Sequence, residues 1–170
     1  MKKILVSLLL LAATVAAPMF ADQDYVKTTI LSRLKNSRDF TLKVAEAMPA
    51  SDYEFKLTEQ QMSFAKQMVH IGQSFTYFLS VFSGQKPEPA NPSGMSKADV
   101  VAFVKSSYDN AIDEVSKLTP EQIEKTYKGQ EGSMNGLEDL IAMLEHAAHH
   151  RASAEMYLRA KQIKPPSYQD

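Results

Sequence analysis

The spacing of the apolar residues constrains this chain more than any other feature. Phe64, Met68, Ile71, Phe75, Phe78 and Phe82 recur at alternating four- and three-residue steps, the pattern of one face of an α-helix. Thr58 followed by Gln61 reads as its N-terminal cap and Gly84 as its terminator. Val26, Ile30, Leu34, Val44 and Met48 repeat the pattern over Asp22–Met48, where Pro49 stops it. Ser96 with Asp99 opens a third helix through Val101, Val104, Tyr108, Ala111, Val115 and Leu118, and Thr119-Pro120-Glu121 starts a short extra turn ending near Gly129. A fourth helix from about Asn135 to Gln162 carries Leu137, Leu140, Ile141, Leu144, Ala148 and Leu158, and Pro165-Pro166 ends it. From Asp22 on, nothing alternates with period two for long enough to predict a strand. The expected fold class is all-α, a four-helix bundle without internal repeat.

Residues 84–95 hold three prolines and two glycines and cannot continue a helix. A dozen extended residues reach on the order of 40 Å, about the length of a 25-residue helix. The linker can therefore cross the whole bundle and leave the second and third helices parallel, an ordinary loop being the alternative.

The first 21 residues differ from the rest. Lys2 and Lys3 precede an apolar stretch from Ile4 to Ala17, followed by Pro18 and Ala21. This is the pattern of a secretory signal peptide cleaved before Asp22, and the stretch is shorter than the roughly 20 residues of a spanning helix. The expected organisation is a signal peptide over 1–21 and one domain over 22–170, exported and periplasmic, without stable membrane insertion; an uncleaved N-terminal anchor is the alternative. With 19 Lys+Arg against 20 Asp+Glu and no basic run, the composition argues against nucleic-acid binding. The chain has no cysteine, which excludes disulfides, a thiol nucleophile and a lipidated N-terminal cysteine. Any metal ion must be held by His, Asp or Glu.

Three of the four histidines, His146, His149 and His150, fall within five residues. His146 and His150 are one helical turn apart, so their rings project side by side and can chelate one ion. Such pairs are also common as inert surface residues. On the helix, His146 and His150 share a stripe with Asp139, Met143 and Tyr157, whereas His149 lies with Glu138 and Glu145 and is expected to face solvent. His70 lies among Gln67, Gln73 and Ser74 on a polar stripe, which either faces solvent or lines a wet pocket. Glu145 and Glu155, the nearest carboxylates in sequence, read as solvated charges. Tyr77, Tyr157, Met62, Met68 and Met143 read as core before substrate box.

Met68-Val69-His70-Ile71, His146-Ala147-Ala148-His149-His150-Arg151 and the tail from Tyr157-Leu158-Arg159 to Pro165-Pro166 together resemble the DinB/YfiT-like family of metalloenzymes, which is distinct from the DNA polymerase of that name. The resemblance spans essentially all of 22–170. It implies an up-down-down-up bundle and a divalent metal, Zn or Ni before others, held by His70, His146 and His150. Family members include thiol-dependent transferases and isomerases. Relatives often continue the motif as Arg-Gly-Gln where this chain has Arg151-Ala152-Ser153, which puts any substrate contact by that Gln in doubt. The implied function is a metal-dependent hydrolase or transferase acting on a small molecule not identified by sequence, with catalytic residues unassigned and room for a homodimer. The alternative is a non-catalytic metal- or ligand-binding bundle of the cell envelope.

Overall fold

The computed structural model describes residues 2–85, 87, 94–129 and 132–168, with side chains from Tyr25 onward. Four long helices carry the fold: α1 (Lys2–Ala47), α2 (Phe64–Ser83), α3 (Lys97–Lys117) and, after a short α4 (Pro120–Glu124), α5 (Gly136–Ala160). The side chains of the expected signal segment and most of the 84–95 linker lie outside the described residues. Among the described residues no helix is long and apolar enough to cross a membrane.

On α1, α2 and α3 the core follows most of the predicted stripes. Leu34 and Val44 on α1, Phe64, Met68, Ile71 and Phe75 on α2, and Val104, Tyr108, Ala111 and Val115 on α3 are all buried. On α3 the first core residue is Val100, with Val101 half-buried beside it. On α5 the stripe is rotated from the one that Ile141, Leu144 and Ala148 suggest. Beyond Gly136 at its start, the buried residues are Asp139, Leu140, Met143, Ala147, Arg151, Ala154, Tyr157 and Leu158, and Ile141 is exposed. Among the other residues expected in the core, Tyr77 and Met62 are exposed.

The helix ends have local causes. Capping boxes pair Ser96 with Asp99, Thr119 with Gln122 and Asn135 with Glu138 at the starts of α3, α4 and α5, satisfying backbone donors that a helix leaves free. Gly84 ends α2 at φ 70°, its N–H donating to the Ser80 carbonyl, a left-handed conformation that glycine adopts without penalty. The start of α2 corrects the sequence reading: the cap is Ser63, whose Oγ accepts from the Lys66 N–H, and Thr58 lies in the preceding loop. Loop carbonyls decide this, because Phe55 and Tyr53 accept from the N–H groups of Phe64 and Ala65 at 2.9 and 2.8 Å.

Two short strands, β1 (Thr126–Gly129) and β2 (Gly132–Asn135), pair antiparallel from Thr126 opposite Asn135 to Gly129 opposite Gly132. They correct the expectation of no strands; four residues are too few to display a period of two. The hairpin feeds directly into α5, whose first residue, Gly136, has no room for a side chain. A Cβ there would stand 2.6 Å from the Gln122 carbonyl oxygen and 2.8 Å from the Phe82 ring.

Contacts at the ends fix the helix directions. Lys97, at the start of α3, donates to the Glu46 and Met48 carbonyls, and Lys27 donates to the Leu118 carbonyl, so α3 runs antiparallel to α1. Lys161, at the end of α5, pairs with Asp52, which places that end beside the turn that follows α1. Phe82 near the end of α2 meets Gly136 at the start of α5, so these two are antiparallel. Hence α1 and α5 run one way, α2 and α3 the other. Helices α2 and α3 approach closely at Gly72, where a Cβ would stand 2.6 Å from Ser107 Oγ and 2.7 Å from the Phe103 ring.

Candidate metal centre

Because α2 and α5 are antiparallel neighbours, their polar stripes meet. His70 from α2 faces His146 and His150, which rise from successive turns of α5. The His70 ring centre lies 5.1 Å from that of His146 and 4.4 Å from that of His150, and the latter two are 4.5 Å apart. One ring nitrogen from each lies within 4.8 Å of the others, and Nε2 of His146 is 3.1 Å from Nε2 of His70. All three are half-buried. The polar stripe containing His70 thus lines an internal contact between helices.

Burial lowers the pKa of each imidazole, because a charged ring loses hydration there. Its neighbours' positive charge lowers His146 further, and His150 is pushed down to about 4 by burial and then by His70, His146 and His149. The cluster is therefore neutral near pH 7, with nitrogen lone pairs available. A four-coordinate ion with metal–nitrogen bonds near 2.1 Å sets its ligand atoms about 3.4 Å apart. The His70–His146 separation already has that scale, so the donor set fits a divalent transition metal.

The surroundings are mixed. Phe78 stands edge-on to His146 with ring centres 5.7 Å apart. Gln67, a buried polar residue one turn before His70, places Oε1 2.6 Å from Nδ1 of His150. His149 is exposed, as helix phase predicts, and touches His150 only from outside, at 5.0 Å between ring centres. Glu145 is exposed and Glu155 half-buried, and neither belongs to the three-histidine group. Arg151 reaches the other side of α5: its Nη1 donates to Ser37 Oγ at 2.8 Å and its guanidinium lies 4.8 Å from the Phe40 ring centre. Ser37 and Thr41 also contact the hydroxyl of Tyr108, so this knot ties α5 to α1 and α3. At the departure from the family motif, Ala152 is exposed and Ser153 Oγ donates to the His149 carbonyl.

Two residues with chemical potential escape the sequence reading. Gln67 appears there only as a polar neighbour of His70, because its contact with His150 spans 83 positions. Asp139 lies on the histidine stripe, which is visible in sequence, but its state is not. It is 5% exposed, its Oδ2 has no hydrogen-bond partner among the described residues, and burial raises its pKa to about 6. The nearby Tyr127 is raised by its own burial and by the charge of Asp139.

Fold and site together define a helical bundle with a three-histidine cluster assembled between facing helices, the usual place for ion sites in such bundles. Residues 19–168 match the DinB family, and the chain belongs to it. YjoA of Bacillus subtilis strain 168, an uncharacterized protein, is 25% identical over 134 residues, which cover 76% of this chain and 87% of YjoA. The YjoA crystal structure, described as DinB-like, superposes with a TM-score of 0.67 over 84% of this chain and 99% of that one. A DinB-like protein of Bacillus cereus ATCC 10987 gives a TM-score of 0.72 at 12% identity, over 82% and 95%. YfiT of Bacillus subtilis, reported as a probable metal-dependent hydrolase with an unusual four-helix bundle topology, gives 0.63 at 14% identity, over 81% and 89%. At these last two identities the likeness is one of fold.

Proposed function

We propose that this chain is an exported DinB protein that holds a divalent transition metal, Zn or Ni before others, on His70, His146 and His150 and uses it as a hydrolase or transferase on a small molecule. The observation that carries the reading is the convergence of three neutral imidazole nitrogens, from two helices, within 4.8 Å. Such an ion, when bound, supplies a Lewis acid that polarises a substrate or lowers the pKa of coordinated water towards about 7. The chain's own part is to fix three donors on rigid helices and to keep them unprotonated by burial. Phe78 adds an apolar wall beside His146. The probable metal-dependent hydrolase activity stated for YfiT supports the same class.

Export rests on Lys2-Lys3, the apolar stretch to Ala17 and Ala21. A native mass beginning at Asp22 is the expected result; the full-length chain in a membrane fraction would instead indicate the uncleaved anchor, and the full-length chain in the cytosolic fraction would return the protein to a setting where thiol chemistry is available. A second reading, ion or ligand binding without turnover, is favoured by one observation: among the described residues no carboxylate joins the three-histidine group. Elemental analysis of the purified protein, followed by a screen of esters, amides, lactones and electrophiles with metal-loaded and chelated samples, separates the readings. Stoichiometric metal with metal-dependent turnover supports the first. Metal that only raises thermal stability supports the second, and absence of metal binding removes both metal readings.

A further inference from the structure

The hydrogen-bond chain behind His150 has a direction that can be read from one end. Tyr157 Oη lies 2.8 Å from the backbone carbonyl of Met62. A carbonyl can only accept, so the single hydroxyl proton of Tyr157 is committed to it. Towards its other neighbour Tyr157 can then only accept. That neighbour is Gln67 Nε2, at 3.5 Å, so Gln67 presents its amide NH2 to Tyr157 and its Oε1 to the other side. There Oε1 meets Nδ1 of His150 at 2.6 Å. The amide oxygen carries no proton, so Nδ1 must supply one, and a neutral imidazole has only one to give. Nε2 of His150 is left as a bare lone pair.

We infer that Gln67 is a positioning residue that holds His150 as its Nδ1–H tautomer, making Nε2 the ligating atom, with the polarity of the relay set by the Met62 carbonyl through Tyr157. The inference rests on the metal-site reading for its purpose, but the proton on Nδ1 stands on the contacts alone, and a neutral ring then leaves Nε2 free. Burial of Gln67 and Tyr157 keeps water from competing for the same groups. Partners of this kind fix ring orientation and tautomer, and their loss typically weakens metal binding 10- to 100-fold. Gln67 is a neutral acceptor where many metal-binding histidines have a carboxylate. It therefore orients the ring without adding negative charge behind it, and an ion on these histidines retains more of its Lewis acidity.

The test has two arms. In metal-free protein, long-range proton–nitrogen NMR reads which nitrogen of His150 carries the proton. The expected result is Nδ1 in the wild type and a shift towards Nε2–H in Gln67→Leu; Nε2–H in the wild type overturns the inference. In the second arm, Co(II) is titrated against a competing chelator and followed by its visible absorption. Gln67→Leu should lose 10- to 100-fold in affinity, Tyr157→Phe should lose less, and Gln67→Glu, which keeps an acceptor at the same place, should recover wild-type affinity or exceed it. Unchanged melting of the metal-free variants separates positioning from a general packing role. Equal Co(II) affinity in wild type and Gln67→Leu overturns the role of Gln67. Failure of the wild type to bind Co(II), with the Nδ1–H tautomer still observed, overturns the metal reading instead.

Discussion

Replacing Asp139 by Asn should stabilise this protein above pH 6 relative to its behaviour at pH 4. Asp139 is 5% exposed, its Oδ2 is unpartnered among the described residues, and its pKa rises from 3.8 to about 6 through burial. Well below pH 3.8 the carboxyl is protonated in both folded and unfolded chains and exerts no pH-dependent effect. Between pH 4 and 6 the unfolded chain has already released its proton while the folded one retains it, so stability falls as pH rises through that window and then levels. At 1.36 kcal/mol per pKa unit, a shift of about two units amounts to about 3 kcal/mol by pH 7. Asn has nearly the same shape and no charge to lose. Its amide brings its own desolvation cost, but that cost is the same at every pH and cancels when the two ends of the range are compared. The histidines work with the opposite sign: their lowered pKa values remove stability as pH falls below about 6.5. They are common to both proteins and drop out of the difference. The assay is urea unfolding of metal-free wild type and Asp139→Asn by far-UV circular dichroism at pH 4, 5, 6 and 7.5. The advantage of the variant should grow by about 2 kcal/mol from pH 4 to 7.5, part of the roughly 3 kcal/mol having already accrued by pH 4. A difference that stays constant with pH would refute the reasoning, because it would mean that the ionised carboxylate is solvated or paired in the folded state.

Further outcomes follow from the site and the packing. Alanine at His70, His146 or His150 should abolish tight divalent-metal binding measured by calorimetry, while His149→Ala should leave stoichiometry unchanged; retention of tight binding in His70→Ala would show that α5 binds alone. Metal affinity should hold through the ordinary imidazole range near 6.5 and fall only at lower pH, since burial lowers the histidine pKa values and delays proton competition; chelator competition at several pH values measures it. Gly72→Ala should destabilise the bundle by about 1–3 kcal/mol in urea unfolding, the ordinary cost of overpacking, because its Cβ would meet Ser107 and Phe103 at 2.6–2.7 Å; truncating Phe103 to Leu in the same chain should recover part of the loss.

What the sequence discloses and what it withholds divide along the range of the interactions. The stripe on α2, the starts of α3 and α4 at Ser96 and Thr119 and the start of α5 near Asn135 are legible because their causes lie within one or two helical turns. His146 and His150 are legible for the same reason. His70 enters through the family resemblance, since the polar residues around it fit an exposed face as well as an internal one. Thr58 and Ser63 are both acceptable caps, and only the carbonyls of Phe55 and Tyr53 choose between them. Asp139 and Gln67 belong to the last class: spacing can place them on a face, but their protonation and hydrogen bonding depend on what a distant helix brings opposite.

His70 and His146 are 76 positions apart in the chain, and α3 lies between them in sequence while packing against α1 and α2 in space. A newly made or refolding chain must therefore close a long loop before the third imidazole reaches the other two. Before that moment the chain offers an ion only the short-range histidines of α5, a partial site. An ion on the full set would accordingly be a late arrival, acting on the lifetime of the finished bundle by slowing its opening more than by speeding its assembly.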